Sequence, residues 1–334
     1  MNSKVKIVTI GGGSGLSVLL RGLKKYTQCI TAIVTVADDG GGSGVLREDL
    51  GMLPPGDLRN CILALANTEP VMEQLLQYRF DEGLLKGQNF GNLLIAAMDG
   101  ISNSFEEAIQ RVNDIFAVTG QVLPATVTNV ELAAVLKDGS RVIGESIIPV
   151  KTMERDTTID KVFLMPENAQ ALPEAIHAIK EADLIIYGPG SLYTSVIPNL
   201  LLKDIINTLE AVDVPKIYIS NLMTQPGETD GYSVSEHVKA LIDHTSPRII
   251  DHVVVNNGEI PEKVVDKYLK EKAQPLYINE SDEHFFKDHN IKVLLDDFTE
   301  IKKMYLRHNA DKVSNEIVKL VETKRYSKNI IKHN

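Results

Sequence analysis

The chain has 334 residues, 43% of them hydrophobic and 24% charged, and a formal net charge of −10 at pH 7. That length and apolar content can build a substantial core, and an acidic balance with no basic stripe argues against nucleic acid as a partner. The two cysteines, Cys29 and Cys61, lie in apolar segments and read as core residues, not as a disulfide or metal pair.

Val5–Ile10 is predicted as a buried parallel strand. It is too short for a signal peptide or membrane span, so no membrane span is expected and the cytoplasm is the expected compartment. The strand runs into Gly11, Gly12, Gly13, Ser14 and Gly15, then into a helix with Leu16, Leu19, Leu20 and Leu23 on one face. A glycine loop that opens a helix presents backbone N–H groups at the positive end of the helix dipole, which suits a phosphate. A plain strand-to-helix turn is the alternative, but it needs fewer glycines than this loop has. The dinucleotide fingerprint G-x-G-x-x-G, laid on Gly11 and Gly13, fails at Leu16, and no Gly-Lys-Ser/Thr follows as a P-loop would require.

The next strand, Thr31–Ala37, ends in Asp38 and Asp39, where nucleotide folds place a ribose- or metal-binding acid. Adjacent residues on an extended strand point to opposite faces, so one aspartate is expected at the ligand and the other on the loop backbone. Asp38 is the candidate ligand for Mg²⁺ accompanying a nucleotide; no other cofactor is required. Gly40–Gly44, with Ser43, forms a second glycine loop. Asp57, after Pro54-Pro55-Gly56, is open between helix cap and ligand contact, ahead of a helix carrying Leu58, Cys61, Ile62 and Leu65. Arg47 and Arg59 are the cations nearest these loops. Asn89-Phe90-Gly91-Asn92 precedes another apolar helix and is read either as a cap or, through Asn92, as amide recognition of a base or sugar.

Val122–Ile148 alternates apolar and polar residues around Lys137-Asp138-Gly139, which predicts a β-hairpin insert over about 122–165. Leu184–Tyr187 is a buried strand that runs into Gly188, Pro189, Gly190 and Ser191, and Lys216–Ser220 runs into a polar loop with Asn221 and Thr224. His252–Val255 is a further strand. The segment from about 298 to 326 reads as helical, with Lys324, Arg325, Lys328 and Lys332 as a frayed tail. The alternation predicts one α/β domain over 1–334: a doubly wound, mostly parallel Rossmann-like sheet with a small antiparallel insert. The junctions at Gly11–Gly15, Asp38–Ser43, Gly188–Ser195 and Asn221–Thr229 would then open on one sheet edge, which makes a nucleotide the leading ligand class.

The segments IGGGSGLSVLLRGL, VADDGGGSGVLR, PPGDLRN, NFGNLL, ATVTNVELAAVL, GPGSLYTSVIPNLL, NLMTQPGET and LRHN, in order from Lys4 to Asn309, resemble the gluconeogenesis factor family, also called YvcK-like. That family is similar to the archaeal 2-phospho-L-lactate transferases (CofD-like) of deazaflavin coenzyme biosynthesis. The resemblance implies a cytoplasmic protein that binds UDP-sugars such as UDP-N-acetylglucosamine and is needed for cell shape and wall synthesis on gluconeogenic carbon, with cell-wall synthesis proteins as candidate partners. It also implies ligand contacts from an arginine matching Arg307 and a tyrosine matching Tyr268, with Tyr277 as a rival. Some members carry a phosphorylated threonine three residues after that arginine, where this chain has Ala310.

Three readings follow. The first is a UDP-sugar-binding regulatory protein with no catalytic residues, a reading compatible with a homo-oligomer. The second is a CofD-like transferase with Mg²⁺ at Asp38 or Asp39, to which the absence of Trp is unfavourable. The third, a nicotinamide oxidoreductase, is disfavoured by Leu16.

Overall fold

A computed structural model describes residues 5–331, with side chains described to residue 321. The central sheet holds seven strands, all paired in parallel. They are β1 (Ile7–Gly11), β2 (Ile30–Val34), β3 (Gln121–Pro124), β7 (Leu184–Tyr187), β8 (Lys216–Ile219), β9 (His252–Asn256) and β10 (Lys292–Asp296). A second sheet comprises β4 (Glu131–Leu136), β5 (Arg141–Ile143) and β6 (Ile159–Met165), and a hairpin comprises β11 (Thr299–Lys302) and β12 (Tyr305–His308).

The spatial order β10-β9-β8-β7-β1-β2-β3 is doubly wound. The chain steps outward from β1 to β3, then returns beside β1 with β7 and winds the other way. The reversal lies between β1 and β7, where Val8 pairs with Ile185 and Ile10 with Tyr187. Helices cover both faces of the central strands, which are mostly apolar; β1, β7 and β8 are buried at every position. Leu16, Leu19, Leu20 and Leu23 of the helix Gly13–Leu23 are buried, as are Leu58, Cys61, Ile62 and Leu65 of the helix Gly56–Leu65.

The structure departs from expectation at five places. Gln121–Pro124 is not part of the insert; it joins the main sheet, with Leu123 opposite Ile33. The alternation that suggested a hairpin belongs to β4, which pairs with both β5 and β6 to make three strands instead of two. β10 was not anticipated, because Lys292, Leu295 and Asp296 are exposed on a sheet edge and dilute the apolar signal. The segment from 298 begins as the β11–β12 hairpin, turned at Lys303 and Met304 with φ of 50° and 63°, and its helix starts only at Ala310. That turn needs left-handed residues and usually shows itself as Asn-Gly, so Lys-Met concealed it. Cys29, just before β2, is exposed, and only Cys61 is a core residue. The side chains of Lys324, Arg325 and Lys328, and all of Lys332, lie outside the described residues.

The helix Ala310–Ile331 buries Val313, Ile317 and Val321 and lies against the helix Gly13–Leu23 at Gly22. A Cβ on Gly22 would stand 2.6 Å from Ser314 Oγ and 2.7 Å from the Ala310 carbonyl carbon. Gly22→Ala therefore forces the two helices apart, and is expected to cost about 1–3 kcal/mol in equilibrium denaturation. An unchanged midpoint would show that the contact yields freely.

Candidate functional site

Two loops meet at the β1–β7 reversal. Gly13 has φ +70°, a left-handed conformation that lets the chain turn from β1 into its helix. Gly15 is required for a different reason, since a Cβ there would lie 2.6 Å from the Pro189 carbonyl oxygen. The two loops are tied by Asn199, whose Nδ2 donates to the Gly11 carbonyl (3.2 Å) and the Ser195 carbonyl (2.8 Å). The helix Gly13–Leu23 has no side-chain cap at Gly12, so its first-turn N–H groups are supplied by no capping oxygen of that residue.

Beyond these loops lies a cleft of about 380 Å³. It is lined by Gly13, Ser14 and Gly15, by Pro189, Gly190 and Ser191, by Asn221 and Thr224, and by Tyr268 and Arg307 from the C-terminal part of the chain. Asn221 is oriented from both ends: its Nδ2 donates to the Gly190 carbonyl (3.0 Å), and its Oδ1 accepts from Tyr218 (3.2 Å). Thr224 exchanges hydrogen bonds with Gln274 (2.7 and 2.8 Å), anchoring that loop. Tyr268 Oη accepts from the Leu306 N–H (3.0 Å) and so sets the position of β12, which bears Arg307. Tyr277 instead hydrogen-bonds the 258–260 loop, away from the cleft lining. His308 Nε2 donates to the Ser220 carbonyl (3.1 Å), and burial pushes that imidazole down to about 4, so it is neutral at physiological pH. Arg307 is thereby the cation of the cleft wall, where Glu271 is the carboxylate.

The remaining predicted residues group on the other side of the glycine loop. Asp57 sits in the first turn of its helix, not at its cap, and accepts from the Gly13 N–H. Gly12 passes so close to Asp57 Oδ2 that a Cβ there would collide with it. A Cβ on Gly56 would stand 3.1 Å from Asp38 Oδ2 and 2.5 Å from Ser43 Oγ, which places these three residues side by side. Asp38 Oδ1 accepts from the Gly40 N–H (2.9 Å), and Asp39 Oδ1 from the Ser146 N–H (2.8 Å) at the edge of the insert. Both aspartates thus hold backbone, and only Asp38 also faces Asp57. Gly11 and Gly188 underlie the loops, with Gly188 N–H donating to the Ile10 carbonyl (2.9 Å). Asn92 is a buried partner of Arg59 (2.8 Å), and the helix cap is Asn89.

Two carboxylates were missed from sequence. Glu228 is buried and accepts from the Thr194 hydroxyl and the Tyr193 N–H (each 3.2 Å), while Glu145 reaches Thr194 from the insert. Burial is the main cause that raises Asp57 to about 6, Glu228 to about 7 and Glu145 to about 8, and Asp38 adds repulsion at Asp57 and Glu145. Their signals, the Gly-Glu-Ser turn and the Gly-Glu-Thr of the polar loop, have no fixed motif. Among the described residues, no three His, Cys, Asp or Glu side chains are grouped to hold a metal ion, and no helix is long and apolar enough to cross a membrane.

These raised carboxyls retain protons in the native state that the unfolded chain releases near its ordinary values of about 4. Native protein thus binds more protons across the window from about 4 to about 8, and their contribution to stability falls as pH rises through it. Glu145→Gln, isosteric with the protonated acid, is expected to gain melting temperature relative to the parent as pH rises from about 6 to about 9. A constant difference across that range would place Glu145 outside the cluster.

The family described as 2-phospho-L-lactate transferase CofD matches residues 7–299. The gluconeogenesis factor of Bacillus subtilis (strain 168) is 46% identical over 323 residues, covering 96% of this chain and 100% of that protein. The gluconeogenesis factor of Halalkalibacterium halodurans is 46% identical over 316 residues, covering 94% and 96%. A crystal structure of a UPF0052 family protein from Bacillus halodurans superposes with a TM-score of 0.90 at 45% identity, covering 95% of this chain and 100% of that one.

Proposed function

This chain belongs to the gluconeogenesis factor family within the wider CofD group, and from that premise we propose that its cleft binds a UDP-sugar such as UDP-N-acetylglucosamine and that it acts as a cytoplasmic regulatory factor for cell shape and wall synthesis. The observation that carries this reading is the composition of one cleft. Glycine-loop backbone, Asn221 and Thr224, and the Tyr268–Arg307 pair, drawn from distant parts of the chain, face the same space. The helix N-terminus at Gly13 suits a diphosphate, Arg307 supplies a charge-assisted donor, and the Tyr268 ring together with Leu222, Met223 and Leu306 offers an apolar wall for a base or sugar face.

A second reading is favoured by one specific feature, the Asp38–Asp57 pair behind the glycine loop. Mg²⁺ is commonly held by one or two carboxylates together with substrate phosphates, and Asp38 would be such a carboxylate for a nucleotide reaching behind the glycine loop. In that case the protein would be a CofD-like transferase. Regulatory binding takes precedence because the full-length relatives are gluconeogenesis factors, and catalysis would further need groups that act better on the transition state than on the bound ligand.

Arg307→Ala is expected to weaken UDP-N-acetylglucosamine binding about 10- to 100-fold, the loss of one charge-assisted hydrogen bond, as read by isothermal titration. Gly13→Asp should weaken it further, because a carboxylate would meet the phosphates and a Cβ would be strained at φ +70°. Wild-type titration of both variants would move the ligand out of this cleft. Turnover is tested with labelled UDP-N-acetylglucosamine, with and without Mg²⁺ and phosphorylated acceptors. Intact ligand recovered from the complex is expected. Metal-dependent release of UDP or UMP, abolished by Asp38→Asn, would establish the transferase instead.

A further inference from the structure

A separate polar cavity of about 310 Å³ opens beside the cleft, bounded by the helices Gly13–Leu23, Gly56–Leu65 and Pro70–Gln77 and the Arg79–Asn89 bridge. Three arginines line it: Arg21, Arg59 and Arg79, with Ser17, Asn60 and Asn89 between them. Guanidinium groups repel one another, so such a cluster ordinarily comes with matching carboxylates. Here Arg21 pairs with Glu73 (2.8 Å), which Gln77 also holds (3.1 Å). The hydrogen bonds of Arg59 go to amide oxygens, those of Asn92 and Asn60 (each 2.8 Å), and Arg79 donates to the Gly87 carbonyl. Asp57 and Asp38 act on Arg59 only through space. Arg59 Nε is buried and has no hydrogen-bond partner, an orphaned donor at the wall of a polar space. Burial, then the like charge of Arg79, pulls the Arg59 guanidinium below its ordinary range.

We propose that this cavity is a second anion site, which takes a compact phosphate or phosphate monoester distinct from the occupant of the glycine-loop cleft. The cavity wall itself holds three guanidinium groups and no carboxylate, Asp57 and Asp38 lying behind Arg59, so its own lining is positive, and planar guanidinium forks match phosphate oxygens bidentately. Arg59 Nε–H, buried and without a partner, adds to the positive potential of that wall without itself opening on the cavity. Placement links the two sites: Ser14 lines the cleft, and Ser17 and Arg21 line the cavity, at the i, i+3 and i+7 spacing that puts residues on one helix face. A phosphate here would lie about 10 Å along the helix from one at the glycine loop, given a rise of about 1.5 Å per residue. The proposal goes beyond the assignment of a UDP-sugar to the cleft and does not depend on it.

The test titrates inorganic phosphate, and separately glycerol 3-phosphate, into the nucleotide-free protein, read by thermal shift and isothermal titration. Saturable stabilisation by mass action is expected. Arg79→Gln is the informative variant because Arg79 is exposed and its loss should leave the fold intact. It should weaken phosphate binding roughly ten-fold or more, as should Arg21→Gln, while Arg79→Lys restores part of it. Gly13→Asp, which blocks the cleft, should retain phosphate binding in full. A monoester that binds more tightly than inorganic phosphate would mark a phosphorylated metabolite as the ligand, and the reverse order would mark free phosphate. The proposal fails if phosphate shows no saturable binding at millimolar concentration, if Arg79→Gln and Arg21→Gln titrate like the parent, or if binding is lost in Gly13→Asp alone.

Discussion

The site depends on how closely two loops can approach at the point where the sheet reverses its winding. Gly15 lies against the Pro189 carbonyl, and Asn199 fastens the Gly11 and Ser195 carbonyls to one side-chain amide. Any side chain at Gly15 would pry the loops apart and turn a crevice with backbone donors into a gap filled by carbon. This explains the glycine density better than a tight turn does, because only Gly13 among the loop's glycines needs a left-handed backbone. Gly12 and Gly15 are there for proximity, to Asp57 and to the Pro189 carbonyl. The reversal supplies the crevice, and the glycines supply access to it.

Electrostatics around the loop divide into three zones along one short path. The helix N-terminus and Arg307 favour an anion in the cleft; the carboxyls of Asp57, Asp38 and Glu145 stand behind it, and the arginine cavity lies further along the same helix. Carboxylates so close to the glycine loop would oppose an anion there if all were ionised. Burial answers part of this, since Glu145 and Glu228 hold protons near neutral pH. The glycine loop therefore stands between protonated carboxyls on one side and cationic side chains on the other.

Much of this was legible in the residues, and what was not has identifiable causes. Strands β1, β2, β7, β8 and β9 declared themselves because burial on both faces writes a continuous apolar run, and the helix with Leu16, Leu19, Leu20 and Leu23 shows unambiguous periodicity. Edge strands carry no such signal, which hid β10, and a left-handed turn made of Lys303 and Met304 hid the hairpin. Gly13, Ser14, Gly15, Gly190, Ser191, Asn221, Thr224, Tyr268 and Arg307 come together in the cleft, whereas Asn92 turned out to serve Arg59. A single amide cannot be assigned from sequence to a ligand or to a neighbouring guanidinium, because both satisfy the same donors and acceptors. Glu145 and Glu228 were invisible for a related reason: their importance comes from burial beside Thr194, which Glu145 reaches from the insert and Glu228 from the loop after β8.

The hairpin that eluded the sequence is also what connects the C-terminal segment to the cleft. Arg307 stands on β12, and β12 is held from two directions, by Tyr268 through the Leu306 N–H and by His308 through the Ser220 carbonyl at the end of β8. Because His308 is buried and neutral, its hydrogen bond fixes the strand without adding charge, which leaves Arg307 as the hairpin's charge on the cleft lining. Immediately beyond, the helix Ala310–Ile331 packs at Gly22 on the same helix whose first turn opens the glycine loop. The cleft wall and the outer helix are thus two ends of one continuous segment, both anchored on the helix Gly13–Leu23. Gly13 and Arg307 therefore face one space from two parts of the chain that the helix Gly13–Leu23 holds together.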